Sequence, residues 1–164
     1  MPNWCKGTLK IRGKKENIVN FLEKGTCFLS DSFELKEINP EVKLNEDYVL
    51  EIKNINKEKG MDFLYIRGTH RNFIDPIEDE VYLYGRDEKE AIAILKNFKA
   101  AWGIDEKRLA IISEAFNIDL KIYGFEKGLE FNQDIEIVKG EIVKNKKIKF
   151  KNYQWECINP EIGG

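Results

Sequence analysis

The chain has 164 residues, enough to bury a true core, and its 42% hydrophobic and 34% charged content is that of a soluble globular protein. With 27 Lys and Arg against 29 Asp and Glu, the formal net charge of −2 excludes a global attraction to nucleic acid or anionic lipid. Any charged partner must therefore be met by a local patch. No apolar run approaches the ~20 residues of a membrane helix, and Met1-Pro2-Asn3-Trp4 lacks the basic and apolar regions of a signal peptide. A single cytoplasmic domain spanning residues 1–164, with no membrane partner, is the expectation. Cys5, Cys27 and Cys157 match neither a CxxC metal spacing nor a disulfide framework, which predicts free, mostly buried thiols.

In chain order, the opening residues 1–13 read as a strand ended by Gly13. A helix over 14–24 follows, with Ile18, Val19, Phe21 and Leu22 as its apolar stripe and Gly25 in the C′ position. This is the start of a ferredoxin-like or βαβ arrangement. Residues 26–60 read as an insertion. Within it Phe33, Leu35 and Ile38 suggest a short strand that Pro40 must end, the 48–55 alternation fits a strand or a short helix, and residues 57–60 form a charged turn. Residues 63–68 read as a strand, 69–80 as a loop containing Asp75-Pro76, and 81–84 as a strand ended by Gly85. Residues 86–95 fit either a helix capped by Asp87 or a strand running into Phe98.

Gly103 then breaks an aromatic run, and Asp105 stands where an N-cap carboxylate is needed. Leu109, Ile112, Ala115 and Phe116 form one helical stripe, which Asn117 closes. Two alternating runs, 120–125 and 129–138, flank a hairpin turn at Glu126-Lys127-Gly128. From Lys146 the tail alternates as a strand, with Ile148 and Phe150 on one face and Lys147, Lys149, Lys151, Tyr153 and Trp155 on the other.

Two stretches carry a family resemblance. The opening MPNWCKGTLKIRG is similar to the start of the YubB ferredoxin-like family of plasmid and phage proteins. Residues 95–140 resemble its second half: Phe98, Ala101 and Trp102 match a Phe-x-Thr-Ala-Trp-Ser-Pro-Pro motif, and Tyr123, Glu126, Gly128 and Phe131 follow a Tyr-x-Glu-x-Gly-x-x-Phe motif displaced by Gly124. Arg67-Gly68-Thr69-His70 resembles its Trp-Gly-Thr-Lys element. Gly103-Ile104 departs from the Ser-Pro pair, and Ala100 stands in place of Thr. The match covers residues 1–25 and 95–140. It implies an α+β, ferredoxin-like two-layer sandwich: a mainly antiparallel sheet with two helices on one face and inserted strands. It also implies a mobile-element origin, and it transfers no catalytic residue.

The chemistry-bearing residues are sparse. His70, the only histidine, has no nucleophile motif beside it, and no ligand set of known spacing calls for a metal or other cofactor. Asp75, Glu78, Asp79 and Glu80 form an acidic run that reads as a solvated loop or as a negatively charged partner-binding patch. Lys147, Lys149 and Lys151 with Tyr153 and Trp155 combine charges for phosphates with rings for base stacking, although lysines also protect an edge strand from aggregation. The expectation is a non-catalytic binding protein from a mobile element, inhibiting a host defence protein such as a CRISPR effector by occupying its surface. The alternative is a nucleic-acid-binding module using the tail strand. Oligomeric state stays open.

Overall fold

A computed structural model describes residues 2–30, 36–55, 63–85 and 90–164. Strand β1 (Trp4–Gly13) alternates as its sequence does, with Cys5, Leu9 and Ile11 buried on one face and Lys6 and Lys10 exposed on the other. Helix α1 (Lys15–Lys24) buries Ile18, Phe21 and Leu22. Gly25 ends it as the C-cap residue, in a right-handed conformation (φ −85°), where the sequence placed it at C′. What requires a glycine there is space: a Cβ would meet the Phe21 ring at 2.7 Å and the Phe116 ring at 2.9 Å.

Eight strands follow where the sequence suggested few: β2 (Thr26–Leu29), β3 (Glu37–Ile38), β4 (Pro40–Leu44), β5 (Val49–Asn54), β6 (Leu64–Ile66), β7 (Asn72–Ile74), β8 (Glu80–Tyr84) and β9 (Ala91–Ala101). Pro40 opens β4 instead of ending a strand, a position where its missing N–H costs no ladder bond. The expected loop over 69–80 holds β7, and residues 91–95 belong to β9. The strand residues Phe33 and Leu35, the charged turn at 57–60 and the cap at Asp87 lie outside the described residues.

Helix α2 (Glu106–Phe116) is capped as its sequence implies, the Arg108 N–H donating to Asp105 Oδ1 at 3.2 Å and Asn117 adopting φ 51°. Its buried face comprises Leu109, Ala110, Ile112 and Ser113, while Ala115 turns to water. Strands β10 (Asp119–Glu126), β11 (Phe131–Val138) and β12 (Glu141–Lys149) form a meander, and the short helix α3 (Tyr153–Glu156) ends the fold.

These elements overturn the ferredoxin-like two-layer sandwich. The architecture is one large antiparallel sheet of 12 strands, with only three short helices among the described residues. Its main path runs β12-β11-β10-β1-β9-β7-β6-β2-β3. The sheet forks at β9, whose C-terminal half pairs with β7 and whose N-terminal half pairs with β8, which leads on to β5 and β4. Asn97 marks the fork with φ 61°; its side chain donates to the Pro76 carbonyl at 3.1 Å. Both longer helices contribute to one main core with Leu9, Ile11, Ile52, Phe98 and Ile122, and they meet at an edge-on Phe21–Phe116 contact (5.5 Å).

Residues directly opposite in antiparallel strands share a face. The register therefore fixes what the other face of the central strands carries. One row runs Phe73, Lys99, Lys6, Phe125, Asn132, and a second Thr8, Tyr123, Asp134, Lys146. A third runs Ile94, Lys10, Lys121, Glu136, Lys144. A satellite cluster of Phe125, Phe150, Tyr153 and Cys157 docks α3 onto this face at one end. Among the described residues, none covers the remainder.

Candidate functional site

The open face is hollowed into a groove of about 840 Å³ over β1, β9 and β10. Five lysines line it, Lys6, Lys10, Lys96, Lys99 and Lys121, against one carboxylate among the described residues, Asp75. Lys99 is ion-paired to Asp75 and lies 4.7 Å from the Trp4 ring centroid. Lys96 pairs with Glu78 (3.1 Å), and Lys121 with Glu136 (3.1 Å). Among the described residues Lys6 and Lys10 form no ion pair. The Lys96 and Lys121 pairs are largely exposed and contribute little, so an arriving anion can replace their carboxylates readily.

Aromatic rings stand among these charges. Trp4, Tyr123 and Phe125 line the groove, with Tyr123 and Phe125 edge-on at 5.1 Å. Asn132, buried on this face, donates to the Tyr123 hydroxyl oxygen at 3.2 Å and accepts from the Tyr153 hydroxyl at 2.9 Å. The last residues of the chain close one end: Asn159 and Ile162 line the groove, the Gly164 N–H donates to the Trp4 carbonyl at 3.0 Å, and Lys127 pairs with Glu161 at 2.7 Å.

The residues singled out from sequence fall in different places. Lys147 and Lys149 lie on β12, on the side away from the groove, where the Lys147 ammonium sits 3.7 Å from the Phe131 ring centroid. Tyr153 and Trp155 are not strand residues at all. Tyr153 is 2% exposed in α3, whereas Trp155 projects 86% exposed. Lys151 is exposed in the turn before α3. These five residues form no common face. The acidic run divides: Asp75 and Glu78 neutralise groove lysines, while Asp79 and Glu80 sit beside Tyr82 in a neighbouring hollow. His70 is exposed, and Thr69 is buried with its hydroxyl donating to the Ile66 carbonyl at 2.6 Å. The groove lysines were not assembled from sequence because they come from separate strands. Only Lys6 and Lys10, alternating on β1, offered a local signal.

No group of three or more metal-ligating side chains occurs among the described residues. Cys5, Cys27 and Cys157 are free and buried. Burial pushes the Cys5 thiol up to about 12 and the Cys27 thiol up to about 11. Both are thus neutral and unreactive at physiological pH. A disulfide reagent at pH 8 is expected to leave Cys5 and Cys27 untouched in the folded protein and to modify them on unfolding. The same shift has a pH signature. Unfolded thiols ionise near 9.0, so the contribution of Cys5 to stability is full below pH 9 and declines as pH rises toward 12. Cys5→Ala should flatten that decline in urea titrations; an unchanged slope would contradict it.

No helix among the described residues is long and apolar enough to cross a membrane. Comparison with protein-family models, curated proteins and solved structures gives no match.

Proposed function

We propose that this protein is a non-catalytic nucleic-acid-binding protein whose lysine groove holds the phosphate backbone. One observation carries the reading: five lysines line one groove, and among the described residues Lys6 and Lys10 are left without an ion pair, on a chain whose formal net charge is −2. Segregation of this kind builds a local positive potential that a polyanion relieves. The rings of Trp4 and Tyr123 offer the second component such sites use. The reading keeps the binding role expected from sequence and moves it from the tail strand to the open face. Three free thiols suit a reducing, cytoplasmic setting. Inhibition of a host defence protein rests on the YubB resemblance and is an outcome of the same experiment.

That experiment is fluorescence anisotropy with a labelled oligonucleotide across a salt series. Wild type should bind with affinity falling steeply in salt. The double variant Lys6→Glu/Lys10→Glu should lose at least about tenfold in affinity, with the log–log salt slope shallower by about 1.5 to 2. Both side chains are exposed on β1, so the fold should survive the change. Charge reversal that leaves affinity unchanged removes the groove from consideration. Absence of binding by wild type, with a host protein co-purifying after nuclease treatment and lost in the double variant, would replace nucleic acid by an acidic protein surface.

A further inference from the structure

Resting on that phosphate-binding reading, we infer that the ligand is single-stranded, with bases stacking on Tyr82, Tyr84 and Tyr123 as the strand crosses from β8 to β10. Tyr82 and Tyr84 hold their rings 58% and 56% in solvent. Tyr84 lies opposite Ile92 and so shares the face of Arg12 and Asp119, and Tyr82, two residues earlier, points the same way. With Ile94 and Lys96 they line a second hollow of about 540 Å³, which meets the lysine groove at Lys96. At the far side of that groove Tyr123 is 37% exposed.

The two hollows differ in charge, and the difference orients the ligand. Asp79 and Glu80 lie with Tyr82 at the β8 end. Phosphate is repelled there, whereas a neutral base over a phenol ring is not. Phosphates settle on Lys6, Lys10 and Lys121, and bases lie over the tyrosines. From β8 through β9 and β1 to β10 is three strand spacings, about 14 Å, a sheet width on which two or three bases stack. A duplex keeps its bases inside and presents only phosphate, so it can use the lysines but not the rings.

The test compares a labelled single-stranded DNA of about 12 nucleotides with the duplex of the same sequence, at about 0.1 M salt. Wild type should prefer the single strand. Tyr84→Ala and Tyr82→Ala, at exposed positions that leave the fold intact, should each weaken single-strand binding about tenfold and leave duplex binding unchanged. Lys6→Glu/Lys10→Glu should weaken both. Tyrosine variants that bind like wild type, or a wild type that prefers duplex, would overturn the stacking inference while the lysine groove stands. If the lysine variant also binds like wild type, the phosphate reading falls and this inference with it.

Discussion

Gly7→Ala is expected to lower the melting temperature by roughly 6 to 12 °C, at about 2–4 °C per kcal/mol for a chain of this size. Gly7 pairs with Gly124 on β10 and with Phe98 on β9, in the middle of the sheet and under the groove. A Cβ there would stand 2.1 Å from the Tyr123 carbonyl oxygen and 3.2 Å from the Gly124 Cα. Those obstacles are backbone and have no rotamer to yield. β1 and β10 would have to separate, at the upper end of the roughly 1–3 kcal/mol typical of overpacking. Lys6 and Thr8 flank the site, so the groove would distort with it. Gly68→Ala provides the contrast. Its φ of 77° penalises a side chain, but nothing lies within 4 Å of the added carbon. That substitution should cost only about 1–2 kcal/mol. Calorimetry of the two variants decides the point. Gly7→Ala melting no lower than Gly68→Ala would mean that β1 and β10 do not approach this closely.

What the sequence conveyed about the fold was local. The opening strand ended at Gly13, the α2 cap at Asp105, the left-handed Asn117 and the β10–β11 hairpin all follow from side-chain period and turn chemistry within a few residues. The sheet's extent did not follow, because it is made by short strands whose partners are far away. β7 is three residues long and includes Asn72, buried with its side-chain amide lacking a hydrogen bond among the described residues. No alternation can be seen in so short a run. β9 was ambiguous because it is buried on one face and half-buried on the other: Ala91, Ala93 and Leu95 alternate with Ile92 and Ile94. Its run of aliphatic residues has no clean period. The ferredoxin-like reading failed at this point, since it took residues 26–60 as an insertion and 69–80 as a loop, where β2 to β5 and β7 join the sheet.

The site was less legible still. A period-2 reading of the tail carried the strand past Lys149, where β12 stops, and so placed Tyr153 and Trp155 on its lysine face. Asn152 interrupts that pattern. Its side chain accepts the Trp155 N–H at 3.2 Å and caps a helical turn. An Asn three residues before Trp155 was the available signal. The groove itself depends on register: Lys10 faces Lys121, and Lys6 faces Lys99. Neither pairing can be seen without the sheet.

The cap at Asn152 leads to the second large effect. Tyr153→Ala should cost about 3–5 kcal/mol, the range for emptying a buried aromatic site, and Tyr153→Phe about 1 kcal/mol. The ring is 2% exposed and edge-on to Phe150 at 5.3 Å, and its hydroxyl donates to Asn132 at 2.9 Å. Because this satellite cluster is separate from the main core, the loss should appear first as faster hydrogen exchange in residues 152–157. The effect then reaches the groove, for Asn159 and Ile162 are held in place beyond α3 and close its end. Tyr153→Ala should therefore alter oligonucleotide affinity as well as stability, while Tyr153→Phe keeps the affinity. Trp155→Ala, at a position 86% exposed, should change stability by less than about 0.5 kcal/mol. If instead Trp155→Ala abolished binding and Tyr153→Ala melted like wild type, α3 would be a ligand contact and not the anchor that shapes the groove.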